Sequence, residues 1–225
     1  MRVPGPAARA GAPIARVVAT AEAATLAAKS VTLTERLLVS GSLIELRIEG
    51  RYPNRVRIDF ATPGVSMHIV IASSAVYLDL DARAWQSAYH LPSSEAETMA
   101  GRWFEAKAGD PALGASIAKF NPKSIERALF KEFARAVPRL VAHRAVVGGR
   151  RAIALRDAGG ALYVASNRSP VILRLTSTLP KVEGYMEFSG YGASTHFALP
   201  VGATSLDQAL AAGTTPTTAV SGVPG

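Results

Sequence analysis

The sequence predicts an α+β protein built on one antiparallel sheet. Three observations carry this reading. Apolar periodicity runs helix, strands, helices, strands along the chain. The strands meet through tight turns rich in glycine, proline and asparagine rather than through helical crossovers, which makes their pairing antiparallel. Hydrophobic residues make up 48% of the 225 and charged residues 19%, which is enough apolar matter for a core and too much for a disordered chain.

Each element follows in order. Residues 1–13 and 203–225 are rich in Pro, Gly, Ala and Thr and predict disordered tails around one domain spanning 14–202. Ile14, Val17, Val18, Ala21, Ala24 and Ala28 recur at helical spacing, so Pro13–Lys29 predicts an amphipathic helix. From Val31 the period drops to two. Ile44, Leu46 and Ile48 alternate with Glu45, Arg47 and Glu49; after a Tyr52-Pro53-Asn54 turn, Val56, Ile58 and Phe60 alternate with Arg55, Arg57 and Asp59. Thr62-Pro63-Gly64 then leads into Met67, Ile69 and Ile71, and Val76–Leu80 follows, giving a meander with one apolar and one charged face.

The middle of the chain is helical. Ser93 and Ser94 open a short helix over Ser93–Ala100, and Asp110-Pro111 and Asn121-Pro122 each set an N-cap before a proline at the first helical position. On a wheel with Lys123 at zero, Ile125, Leu129, Phe130, Phe133 and Val137 of Pro122–Val137 fall between about 200° and 340°. Lys123, Arg127, Lys131 and Arg135 fall between about 0° and 120°. One face buries, the other is cationic, and Pro138 stops the helix. Strands return over Leu140–Val147, Arg150–Arg156, Ala161–Ser166, Val171–Ser177, Gly184–Ser189 and Thr195–Leu199.

Composition removes several function classes. The sequence contains no cysteine, which excludes a disulfide scaffold, a thiolate enzyme and a zinc-ribbon or iron–sulfur site. Its formal charge of +8 favours anionic partners, but Arg150–Arg151 is the only adjacent basic pair, so no basic tract supports nucleic-acid binding. No segment reaches the ~20 apolar residues of a membrane span, and Arg16 and Glu22 interrupt the best candidate for an export core. His68, His90, His143 and His196 have no metal-ligand spacing; no Gly-x-Ser-x-Gly elbow is present; Asp79 and Asp81 lack the remaining ligands of a calcium loop. No catalytic residue, metal or cofactor is predicted.

The order and spacing of several segments resemble the LolA-like fold, and more closely the LppX/LprG-type actinobacterial envelope lipoproteins. These segments are Ala75-Val-Tyr-Leu before Ala84-Trp85, Gly101-Arg-Trp103, Val147-Gly148-Gly149 with the hairpin through Tyr163, Pro170-Val-Ile-Leu-Arg-Leu, Phe188-Ser-Gly-Tyr191-Gly, and Leu199-Pro200, together covering about 14–201. The resemblance implies a curved half-barrel with helices over its concave apolar face and a hydrophobic cavity between. It also implies non-catalytic binding or transport of an acylated lipid, lipoprotein or glycolipid at the cell envelope, on the outer face of the cytoplasmic membrane or in a periplasm-like space. The sequence departs from the pattern in lacking a signal peptide and the lipidated cysteine.

On that reading the cavity is lined by Ile44, Leu46, Ile48, Val56, Ile58, Phe60, Met67, Ile69, Ile71, Leu129, Phe133 and Leu173. Trp85 and Trp103 sit at its mouth, while Lys123, Arg127, Lys131 and Arg135 face an anionic membrane. The protein is expected to be a monomer with no nucleic-acid partner. The alternative is a closed core under the helices, which would make the domain an envelope interaction module that binds another protein.

Overall fold

The structure is a computed structural model and describes residues 6–51, 55–72, 75–107, 121–194 and 197–213. The period-two segments form strands β1 (Ser30–Val39), β2 (Ser42–Arg51), β3 (Arg55–Thr62), β4 (Val65–Ala72) and β5 (Ala75–Leu80). A second meander runs through β7 (Val141–Val147), β8 (Arg150–Asp157), β9 (Gly160–Ala165), β10 (Ile172–Leu179) and β11 (Val182–Ser189). Pairing of β11 with β1 joins the two meanders into one 12-stranded sheet, ordered β12-β6-β5-β4-β3-β2-β1-β11-β10-β9-β8-β7. The short β6 (Phe104–Lys107) and β12 (Thr204–Ser205) close one edge; β7 forms the other. The β12–β6 pair is parallel and the others are antiparallel. The sheet does not close, and the fold is the α+β half-barrel anticipated from the sequence.

Register explains why one face buries. Phe188, Leu33, Ile48, Ile58, Ile69, Leu78 and Phe104 stand opposite one another across consecutive strands from β11 to β6. All of them are buried, so a single apolar row crosses the sheet on its inner face. Helix α1 (Pro6–Ala27) lays Ile14, Val18 and Ala21 on this face. Phe130 and Ala136 of α4 (Pro122–Ala136), Trp85 of α2 (Ala82–Tyr89), and Ala96 and Met99 of α3 (Ser93–Met99) complete the core.

Caps set the helix starts. The Asn121 side chain accepts from the backbone N–H groups of Lys123 (2.9 Å) and Ser124 (3.3 Å), with Pro122 at the first turn, as the sequence predicts. Asp81 caps α2, accepting from Ala84 N–H at 2.8 Å, and also accepts from Ser66 N–H of β4. What resembled a calcium ligand in the sequence is therefore a cap that ties a helix to the sheet.

Both predicted tails need correction. Helix α1 begins at Pro6 and runs through Pro13, so it reaches into the expected N-terminal tail. At the other end, Thr204–Ser205 pairs with β6, and Leu206–Gly213 forms helix α5, whose Leu206 is fully buried in the core. The alanines of that segment read as low complexity in the sequence, but Leu206, with Ala209 and Leu210 packed beside it, docks the helix on the core. Residues 197–199 are not a strand. The Tyr52-Pro53-Asn54 turn, the Asp110-Pro111 cap and His196 lie outside the described residues.

Candidate functional site

The predicted lining residues divide. Leu46, Ile48, Val56, Ile58 and Ile69 are buried within one continuous core, with Phe60, Met67, Ile71, Leu129 and Phe133 partly buried against it; Ile44 is half-buried nearer the open end of its strand. Leu173 belongs elsewhere. A β-bulge between Ile172 and Arg174 breaks the alternation, and Leu173 packs with Val147, Ala152, Ala165 and Val171 in a second cluster.

Two of the predicted mouth and membrane residues are also corrected. Trp85 has no exposed surface; it stands edge-on to Phe104, with ring centroids 5.3 Å apart, at the bottom of the core. Trp103, which precedes Phe104 in the sequence, is half-buried, and its carbonyl accepts from Thr204 N–H at 3.1 Å. Lys123 turns inward. Its ammonium donates to the Thr25 carbonyl at 3.0 Å and to the Glu126 carboxylate at 3.1 Å. Arg127, Lys131 and Arg135 are exposed on α4, with Arg135 paired to Glu132 at 2.6 Å.

The Lys123 contacts reveal an anchor that the sequence reading overlooked. Glu126 lies at about 300° on the same wheel, among the apolar residues, and is completely buried. Burial pushes its carboxyl upward, and the Lys123 charge opposes that shift. Thr25, also fully buried, accepts from Ile172 N–H at 3.1 Å through its hydroxyl. Tyr191 completes the group; burial and the nearby Glu126 charge hold its phenol far above the ordinary value. Together these residues fix the C-terminal end of α1 to both α4 and the start of β10. The lysine at the helix C-terminus also complements the helix dipole.

Around residues 16–20, α1 is less enclosed than at its C-terminal end. A groove opens over β7–β9: a space of about 1050 Å³ on β7 and β8 adjoins one of about 560 Å³ between the sheet and α1, and the two share Ile153 and Ser166. Opposed residues share a face, so Arg144, which pairs with Ile153, and Val146, which pairs with Arg151, lie on the inner side with Ile153. That side carries Ala142, Val146, Ile153 and Val164 as an apolar floor, with Val17 and Thr20 of α1 as the opposite wall. Val146 is 69% exposed, so the inner face is uncovered here, whereas farther along the sheet the helices fill it.

Charge marks the groove. Arg144, Arg151, Arg16 and Arg168 line it, and no aspartate or glutamate does. None of these arginines forms an ion pair among the described residues. The outer face is the opposite case: Arg36 pairs with Glu45 at 3.2 Å, Arg47 with Glu49 at 3.1 Å, Arg57 with Asp59 at 3.0 Å, and Arg174 with Glu187. Asp59 is shared with His68, whose Nδ1 lies 2.7 Å away. These outer arginines are neutralised in place; those around the groove are not. Sequence reading misses the set because Arg16 lies far in sequence from Arg144, Arg151 and Arg168, and only the strand register together with the placing of α1 puts all four on the groove.

A second cleft of about 560 Å³ lies at the opposite sheet edge between α3 and α5, floored by Met99, Phe104 and Leu210 and rimmed by Glu95, Arg102 and Gln208. Among the described residues, no group of histidine and carboxylate side chains could hold a metal ion, and no helix is long and apolar enough to cross a membrane.

No protein-family model matches the sequence. No curated protein matches it either. Among solved structures, the chain is similar to LprF from Mycobacterium bovis, at 11% identity and TM-score 0.49, over 84% of this chain and 98% of that one. It is similar to the Mycobacterium tuberculosis lipoprotein LppX at 12% identity and TM-score 0.49, over 83% of this chain and 98% of that one. A third likeness, to the MucA/MucB complex of Pseudomonas aeruginosa, has 17% identity and TM-score 0.34, over 88% of this chain and 60% of that one. The resemblance read from the sequence is thus met among solved structures, by LppX by name, at a distance where function must be argued from this chain's own residues.

Proposed function

We propose that the protein is a non-catalytic binder or carrier of an acylated lipid or glycolipid at the cell envelope. One observation carries the reading: the apolar inner face of the half-barrel is left open at β7–β9, where Val146, Ile153 and Val17 line a groove large enough for acyl chain. Each methylene transferred there from water is worth about 0.8 kcal/mol, so ten buried methylenes supply about 8 kcal/mol, the scale of micromolar binding. The exposed cations Arg127, Lys131 and Arg135 add weak, salt-sensitive contact with an anionic membrane.

The test is native mass spectrometry of the purified protein, followed by organic extraction and mass analysis of what is released. A stoichiometric acylated adduct is expected in the parent protein and its loss in Ile153→Asp, with circular dichroism confirming that the variant is folded. Equal lipid content in parent and folded variant would sink the groove assignment.

A specific feature favours a second reading, an interaction module that binds another protein. Strand β7 is an unpaired edge with Val141 55% and Val146 69% exposed, a template for an added strand. A polarity-sensitive apolar dye separates the two: an accessible groove brightens it in a lipid-competable way, whereas a filled core with a bare edge does not.

A further inference from the structure

We propose that the ligand is a single lipid molecule whose head group carries net negative charge through a phosphate, held by Arg144 and Arg151 of the sheet and Arg16 and Arg168 across the groove. This deepens the lipid-binding reading and rests on it. Arg144 and Arg151 project on the inner face beside the same apolar floor, because β7 and β8 pair Arg144 with Ile153 and Val146 with Arg151. Arg16 belongs to α1 on the facing wall, and Arg168 to the turn between β9 and β10 that closes the groove at one end.

The reasoning is one of charge complementarity. A cluster of guanidinium groups raises its own electrostatic energy unless an anion sits among them. For Arg36, Arg47, Arg57 and Arg174 on the outer face that anion is supplied by Glu45, Glu49, Asp59 and Glu187 of the protein itself. Around the groove no carboxylate is supplied, and the missing anion is left for the ligand. Guanidinium binds phosphate oxygens in a two-pronged geometry and loses less to dehydration than ammonium does, so arginine suits a phosphate at the edge of an apolar surface. The apolar floor, in turn, requires that the anion bring hydrocarbon with it. A soluble phosphate leaves Ala142 and Val146 exposed, while a neutral lipid leaves the arginines unpaired.

The experiment presents the full-length, delipidated protein with vesicles of equal phosphatidylglycerol and phosphatidylcholine carrying the same acyl chains, re-isolates the protein, and weighs its adducts by native mass spectrometry. Both lipids contain phosphate, but only phosphatidylglycerol is net anionic. The parent protein is expected to carry phosphatidylglycerol in preference by about tenfold or more, as two charge-assisted contacts would give. In the Arg144→Gln/Arg151→Gln double variant the preference should fall to about threefold or less. Arg36→Gln, on the outer face and outside the groove, should keep the parent preference. Equal uptake of both lipids by the parent overturns the head-group inference and leaves lipid binding standing. Uptake of neither overturns both. Co-sedimentation with phosphatidylglycerol vesicles, without a protein–lipid complex leaving them, also overturns the inference and assigns the arginines to a bilayer surface.

Discussion

Glu35 shows how a single residue can break a sheet's pattern and leave a measurable trace. It stands on the inner face of β1, opposite Leu46 of β2 and Met186 of β11, in a row that is otherwise apolar. Burial raises its carboxyl above the ordinary value of 4.5. The folded protein therefore holds this proton more tightly than the unfolded chain. Its stability contribution is greatest below the unfolded value and is lost as pH climbs through the raised folded value. Asp79 and Glu126 shift in the same direction, so all three titrations oppose folding toward neutral pH. In Glu35→Gln, urea midpoints measured from just below 4.5 up to neutral pH should fall less steeply than in the parent, and the variant should be the more stable at the neutral end. Parallel curves would mean that the Glu35 carboxyl reaches water and does not feel the apolar row.

Elements were legible wherever periodicity was long. The alternation in Leu43–Arg51 and in Arg55–Phe60 sets which side chains bury: β2 follows it from Glu45 to Arg51 and β3 through Ile58, after which Asp59 and Phe60 are both half-buried. Short elements escaped because they have no period to display: β6 spans four residues and β12 two. Helix α2 escaped for another reason. Its sequence, Ala82–Tyr89, buries only Ala84 and Trp85, so the decisive signal is the Asp81 cap, which looks like a strand residue until the strand is seen to end. The groove was not legible at all, since Arg144 and Arg151 line one space, Arg16 and Arg168 the adjoining one, and only strand register and the placing of α1 bring these together. The clearest misreading is α5. Because Leu206 is fully buried against the β6 edge, Leu206→Ala should cost about 2–5 kcal/mol in urea unfolding, as large-to-small core changes do. An effect below about 0.5 kcal/mol, the range of surface substitutions, would return this segment to the tail expected from composition.

At the scale of the whole molecule, the half-barrel has one packed end and one open end, and α1 spans the difference. Toward its C-terminus, α1 is held by Thr25, through Lys123 on one side and Ile172 on the other. Toward its N-terminus, Arg16, Val17 and Thr20 border the groove, while Ile14 and Val18 grip the core beneath. A ligand entering between α1 and β8 would therefore meet a helix hydrogen-bonded through Thr25 at one end and lining the groove with the exposed Arg16 and Thr20 at the other. Amides with few packed neighbours exchange through local opening, and a ligand that fills the space beside them suppresses that opening. Hydrogen exchange on the protein loaded with phosphatidylglycerol should accordingly slow around residues 16–20 and along β7 and β8. Exchange near Thr25 and Ile172 should be unchanged, because the ligand adds nothing to an anchor already closed by buried hydrogen bonds. Equal slowing along all of α1 would instead describe global stabilisation by a ligand seated elsewhere. No slowing at β7 and β8 despite stoichiometric loading would move the lipid to the α3–α5 cleft at the far edge of the sheet.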